Sequence, residues 1–200
     1  MTGRTNGYAR GRARREQIVE SATELFARTG YRNATILEIA EHAGISRTGL
    51  LHHFPSKEAL LEAVLMKRDL DDDASFGMTT DPLGGLQRLV RLAQHNAEVR
   101  HIVSLFAVLS AEAGDPEHPA HDYFVRRYHA THASFRCSLQ QARDAGILVP
   151  GVDVDHGART LIALMDGLQI QWLIAPDAVD MAGELQAELQ KLVLVPLDGA

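Results

Sequence analysis

Arg47, Thr48, Gly49 and His52 fall within six residues of a 200-residue chain, and what they offer is hydrogen bonding rather than bond breaking. A guanidinium fork meets two acceptors at once, as guanine or a phosphate presents them, while a threonine brings a hydroxyl and a methyl that suit thymine. Gly49 carries no side chain, so the backbone there can come close to a partner. His52, His53 and Lys57 follow at positions suited to phosphates, contacts that orient without specifying sequence. Bond-breaking constellations are missing: there is no GxSxG, no P-loop, no GxGxxG after a strand and no nucleophile–base pair. Catalysis is therefore not expected, nor a cofactor. Asp166, on an apolar stripe, reads either as a buried acid or as a helix-packing hydrogen bond. Among ten histidines, His118 with His121 and His129 with His132 stand three apart, close enough to share a helix face. No HExxH accompanies them, Cys137 has no second cysteine and no carboxylate stands at matching spacing, so solvated or interface histidines are expected rather than a metal site.

The residues at 47–52 need a short, outward-facing helix. Ser46 supplies its cap, with Leu50 and Phe54 pointing inward, and it ends at about His53. The preceding Thr35-Ile36-Leu37-Glu38 is a capping box, in which hydroxyl and carboxylate each satisfy an orphan amide. Ile36, Ile39, Ala40 and Ala43 then face inward until Gly44 stops the helix. Two short helices joined through Ala43–Ser46 make a helix-turn-helix. The second, about eight residues at ~1.5 Å each, matches the ~12 Å width of a major groove. A hairpin that merely packs a core would show the same spacing.

Around this pair, 3.6-residue periodicity recurs and period-2 alternation does not. Residues 1–13 read as a flexible basic arm. A helix from Arg14 to Thr29 carries Ile18, Ala22, Leu25 and Phe26 on one face and stops at Gly30. After Pro55-Ser56 a connecting helix spans 57–74, its stripe Leu60, Leu61, Val64 and Leu65; three acids at Asp71–Asp73 sit awkwardly at its negative end. A loop over 74–81 gives way at Asp81-Pro82 to further helices, roughly Pro82–His95, Glu98–Ala113, His118–Ala145, Val154–Ile174 and Ala178–Val195. The expected fold is all-α with about nine helices: an arm (1–13), a helix-turn-helix domain (14–56), the connecting helix (57–74) and a second helical domain (82–200).

Composition agrees. With 46% hydrophobic and 23% charged residues the chain can bury a sizeable core. No apolar run approaches the roughly 20 residues of a membrane span, and no signal peptide is evident. One cysteine precludes an internal disulfide and suits a reducing cytoplasm. The net charge of −6 is unevenly spread. Residues 1–56 carry +3 and the remainder −9, and five arginines, Arg14 among them, precede the first acid. A basic head on an acidic body suggests a polyanionic partner, although a solvated tail would look the same.

The run Gly30-Tyr31-Arg32-Asn33-Ala34-Thr35, then Ile39-Ala40, Ala43-Gly44-Ile45-Ser46 and Leu50-Leu51-His52-His53-Phe54-Pro55-Ser56-Lys57-Glu58, resembles the N-terminal domain of TetR-family transcriptional regulators. The likeness covers about residues 14–65. It implies a dimeric repressor whose third helix enters the major groove, with Thr35 and Lys57 near the phosphate backbone. Two positions depart from the family pattern: Thr48-Gly49 stands where Gly-Thr is common, and Leu51 where tyrosine contacts phosphate, so no such role falls to Leu51. A looser resemblance covers Gly146-Ile147-Leu148, Asp153, Ala158-Arg159, Leu161–Leu168 and Gln171-Trp172, which are similar to the last long helices of these regulators and imply a four-helix bundle across the dimer.

The expected partners are thus a palindromic operator in double-stranded DNA, a second copy of the chain and a small-molecule effector, with no membrane. Leu161, Leu164, Leu168, Leu185, Leu189 and Leu192 are the candidates for the dimer interface, unless the monomer's own core uses them. Phe106, Leu109, Phe124, Tyr128, Met165 and Trp172 are the candidate effector lining, unless they are simply core. Leu86, Leu89 and Val103 would pass strain to the connecting helix. Arg126 and Arg127 face either an anionic ligand or water. The competing reading is a helical metal-responsive or protein-interaction module without specific DNA binding.

Overall fold

A computed structural model describes residues 3–76 and 79–197, with side chains over 9–72 and 79–197. Helix α1 spans Gly3–Thr29, and it buries Ile18, Val19, Ala22, Leu25 and Phe26 along one face. It begins eleven residues before the expected start at Arg14, so residues 3–13 are helix and not a flexible arm; Met1 and Thr2 of that arm lie outside the described residues. Extending a formed helix adds one hydrogen bond per residue fixed, a far lower cost than nucleation, so glycines in this stretch do not stop it. Gly30, at φ 80°, ends α1 in the left-handed conformation that only glycine adopts freely.

Helix α2 (Ile36–His42) and α3 (Arg47–His53) follow, the first with its full capping box and the second capped by Ser46. Between them Gly44, at φ 65°, makes the turn. Helix α4 runs over Lys57–Phe76, two residues past its expected end and through the acidic run that sits awkwardly at its negative end. Two of the acids have cations one turn earlier: Lys67 pairs with Asp71 at 2.6 Å and Arg68 with Asp72 at 3.5 Å. The expected loop is correspondingly shorter, and its residues 77 and 78 lie outside the described ones.

The body comprises α5 (Pro82–Glu98), α6 (Arg100–Glu112), α7 (His121–Asp144), α8 (Val154–Ile174) and α9 (Met181–Leu192). Asp81, Asp153 and Asp180 cap α5, α8 and α9 through side-chain acceptance of backbone amides. Among the described residues nine helices form and no strand does. An isolated antiparallel bridge, Leu148 to Val193, ties the α7–α8 turn to the chain after α9. No described helix is long and apolar enough to cross a membrane.

The apolar interior divides in two. One core joins the head to the body: Leu25, Leu50, Phe54 and Leu61 pack in the same cluster as Leu105, Leu109 and Phe124 of α6 and α7. The other is built by α5, the second half of α7, α8 and α9 around Leu89, Leu139, Leu161, Trp172 and Leu185. The division does not follow the expected boundary at 74–81, because most of α6 and the start of α7 belong to the head's core. Leu86, Leu89 and Val103 belong to the second core.

Candidate nucleic-acid interface and internal cavity

Local hydrogen bonding fixes the outward edge of the head. Thr35 Oγ1 accepts from the Glu38 amide at 3.2 Å, and Glu38 Oε2 accepts from the Thr35 amide at 2.9 Å. The Thr35 hydroxyl, which donates to Glu38 Oε2 at 2.7 Å, and the Thr35 amide together hold the Glu38 carboxyl below its ordinary range. Ser46 Oγ accepts from the Gly49 amide at 3.0 Å. A Cβ at position 49 would stand 3.2 Å from that hydroxyl, so Gly49 leaves room for the cap.

Beyond this cap Arg47 and Thr48 are exposed, and neither side chain has a polar partner among the described residues. His52 is exposed and stands edge-on to the half-buried His53, ring centroids 5.7 Å apart. Leu50 and Phe54 back α3 from inside, each at most 1% exposed. Arg15 locks the end of α3 to α1: its guanidinium lies 4.0 Å above the Phe54 ring and donates to the His53 carbonyl at 2.8 Å. Arg14, also exposed, donates to Gln17 at 3.0 Å.

Lys57 departs from its expected role. Its ammonium donates to the carbonyls of Tyr31, Arg32 and Ala34 at 3.0, 3.2 and 3.0 Å. It also lies 4.5 Å from the Tyr31 ring centre. All three donors of the lysine are used in closing the α1–α2 turn, leaving no donor for a phosphate. One residue on, Glu58 accepts from the Tyr31 hydroxyl at 3.3 Å, and burial pushes that phenol's pKa up. The start of α4 is thus clamped to the head.

At the junction with the body, Arg32 approaches Glu112 at 4.0 Å and His118 approaches the same carboxylate at 3.5 Å. His118 Nδ1 accepts from the Ala120 amide, and His121 Nδ1 faces the Ala113 carbonyl. Among the described residues no three His, Cys, Asp or Glu side chains converge as metal ligands.

Between the two cores lies a cavity of about 310 Å³, near the small end of the ~300–1,000 Å³ usual for ligand sites. Phe106, Phe124, Tyr128 and Met165 line it. Leu109 and Trp172 do not, contrary to expectation. Leu109 is fully buried in the head's core, and Trp172 packs in the other core with the Arg100 guanidinium 5.2 Å from its ring. Periodicity marks such residues as inward without saying what they meet inside.

Of the polar lining, Arg127, Tyr128 and Asp166 were singled out in the sequence, whereas Arg68, Asp69, Asp72, Arg88 and Asn96 were missed. Arg127 turns inward while Arg126 is exposed. Arg127 pairs with Asp69 of α4, and the Tyr123 hydroxyl donates to the same carboxylate at 2.8 Å. Arg127 also lies 3.9 Å from Asp72. The guanidinium of Arg68 stands 4.0 Å from the Phe106 ring centre, and that of Arg127 at 5.1 Å. Burial lowers Arg68 to about 10, which leaves it charged at neutral pH. Burial likewise raises the Asp72 carboxyl, against the pull of Arg68. Asp166 of α8 accepts from the Tyr128 hydroxyl at 2.9 Å, the helix-packing bond foreseen, and burial raises it too. Burial also lifts the Tyr128 phenol to about 12.

The leucines proposed for subunit contact are mostly used within one chain. Leu161, Leu168, Leu185 and Leu189 are buried in the second core, whereas Leu164 and Leu192 stay half-buried at its edge. The side chains left outward on α8 include Ile170 and Ile174, the latter 80% exposed.

Comparison with known proteins matches residues 18–64 to the bacterial regulatory proteins, tetR family, and residues 100–192 to the BetI-type transcriptional repressor, C-terminal. The probable HTH-type transcriptional regulator ArpR of Pseudomonas putida is 28% identical over 181 residues, 86% of each chain. A regulator from Saccharomonospora viridis, solved with choline, superposes with a TM-score of 0.74 at 26% identity over 90% of this chain and 98% of that one. SmeT of Stenotrophomonas maltophilia, in its triclosan complex, gives 0.79 at 20% identity over 94% and 96%, a likeness of fold.

Proposed function

The chain belongs to the TetR family of DNA-binding transcriptional regulators, and from that premise we propose that it acts in the cytoplasm as a homodimeric repressor, released from a palindromic operator by a small molecule. Its relatives are regulators, so its work is recognition and not catalysis. The observation that carries the reading is the unpartnered pair Arg47 and Thr48 on a helix capped by Ser46 and backed by Leu50 and Phe54. A guanidinium held on a rigid helix with no protein acceptor is free to meet a base edge, and two such heads about 34–36 Å apart would span successive major grooves. Arg14, Thr35, Gly49, His52 and His53 flank this pair as candidate backbone contacts. Arg47→Ala is expected to weaken operator binding by about 1–3 kcal/mol in a gel-shift titration and to relax preference at one base pair. Equal losses on operator and random DNA would instead make Arg47 a phosphate contact.

Subunit contact is assigned to the outward faces of α8 and α9, with Leu164, Ile174 and Leu192 in place of the leucines consumed by the monomer core. Ile174→Lys should shift the solution mass toward a single chain in sedimentation at micromolar concentration. A mass unchanged from the parent dimer would place the interface elsewhere.

Release is assigned to the cavity because α4 reaches both ends of the problem. Its first residue, Lys57, holds the α1–α2 turn of the head, and three turns later Arg68, Asp69 and Asp72 form part of the cavity wall. The cavity also has Phe106 and Phe124 from the head's core and Phe135 and Met165 from the other. A ligand lodged there sets how the two cores and the α4 rod sit together. It lowers DNA affinity by as much as it prefers the conformer with displaced heads, and by no more. The choline and triclosan complexes of the structural neighbours support a small molecule in such a body.

A further inference from the structure

We infer that the effector is a protonated amine with an apolar body, held through its N–H groups by Asp166; this deepens the effector reading above and rests on it for the regulatory consequence. The argument comes from the charges around the cavity. On the α4 and α7 side the charges are matched: Arg68 stands against Asp72, and Arg127 against Asp69 and Asp72. Arg88 donates to Ser134 at 2.8 Å. On α8 the wall reads Ile162, Met165, Asp166 and Gln169, the i, i+3, i+4, i+7 face of one helix, with a carboxylate amid apolar neighbours. Asp166 has no cation within 4 Å among the described residues, and its polar partner there is the neutral Tyr128 hydroxyl.

A second group points the same way. Asn96 of α5 lines the cavity at 2% exposure, and its carboxamide makes no hydrogen bond to the described residues. Buried carboxamides ordinarily find partners, so one left open toward a cavity implies a polar ligand group there. Arg127 and Arg68 act on Asp166 only from beyond ion-pair distance, so a carboxylate ligand would set like charge against it, and an alcohol would serve Asn96 while bringing it no close cation. A protonated amine serves both, donating one N–H to the carboxylate and another to an amide oxygen of Asn96 or Gln169. Its body then lies against Phe124, Phe135 and Met165.

The test is calorimetric titration of the full chain with phenylbutylamine, phenylbutanol and phenylbutyrate, which share a body and differ in the charged end. The amine is expected to bind about 10- to 100-fold more tightly than the alcohol, the worth of a charge-assisted hydrogen bond in a sheltered site. Asp166→Asn should abolish that preference, weakening the amine far more than the alcohol. A urea melt verifies that this variant is folded, and an amide buried in place of a raised carboxyl should leave it at least as stable as the parent. Equal binding of amine and alcohol, tighter binding of the carboxylate, no binding of any probe at millimolar concentration, or an amine preference that survives Asp166→Asn would each overturn the assignment. Gel shifts with the amine separate the two readings: tight binding without loss of operator affinity defeats the effector role and leaves the ligand class standing.

Discussion

Arg127→Ala is expected to lower the free energy of unfolding by about 2–4 kcal/mol, somewhat under the cost of breaking a fully buried ion network because Arg127 and Asp69 are part-exposed. Arg127 pairs with Asp69, approaches Asp72 and lies over the Phe106 ring. Its loss leaves Asp69 with the Tyr123 hydroxyl and Asp72 with Arg68 in a wall only partly shielded from water. Most of the penalty is therefore uncompensated charge. Pairing Arg127→Met with Asp69→Leu should recover much of it, because a buried ion pair exchanged for apolar volume is often neutral in stability. The deficit also has a pH signature. Burial holds the Asp72 carboxyl above its ordinary range, so its ionisation costs stability at neutral pH and that cost fades as the pH falls through the raised value. Urea melts of Arg127→Ala should consequently close on the parent in mildly acidic buffer. A loss under about 1 kcal/mol at neutral pH would mean that this network carries no structural weight.

Phe54→Ala should cost about 3–5 kcal/mol by a different route. The ring is 1% exposed beneath the end of α3 and carries the Arg15 guanidinium on its face. Its removal undercuts α3, the proposed recognition helix, without touching any of the residues proposed to face DNA, so operator binding should fall with stability. Because the head's core continues into α6 and α7, the body is expected to melt with the head. Trp172, the chain's single tryptophan, lies in the other core. Its fluorescence and far-UV circular dichroism should trace one coincident urea transition in the variant. A tryptophan transition lagging well behind the loss of helix would show that the two cores unfold separately.

The parts of the fold readable in the sequence are those that local chemistry decides. The capping box at Thr35, the Ser46 cap and the turn at Gly44 are contained within a few residues each, and α8 has the bounds that its periodicity predicts. Where distant segments decide, periodicity was insufficient. Lys57 reads as a surface cation, and only the approach of the Tyr31–Ala34 turn makes it a structural clamp. Leu161 and Leu185 show an inward face, but the same stripe serves a core or a subunit contact. Leu109 and Trp172 likewise announce burial without saying which space they border. Asp166 was legible as an anomaly, a carboxylate on an apolar stripe, although its cavity became visible only when α4, α5, α6 and α7 were in place around it.

Head and body sharing one interior bears on how such regulators can be recombined. A chimera that grafts another regulator's first 76 residues onto this body would set foreign side chains against Leu105, Leu109 and Tyr123, whose shapes are fitted to the native head. Each mismatch would leave a void costing roughly 24 cal/mol per Å³ or force an overpacked contact. On the proposal that α3 reads the operator, specificity is therefore more safely transferred by exchanging its outward residues than by splicing at the loop, where the chain looks divisible but its interior is continuous.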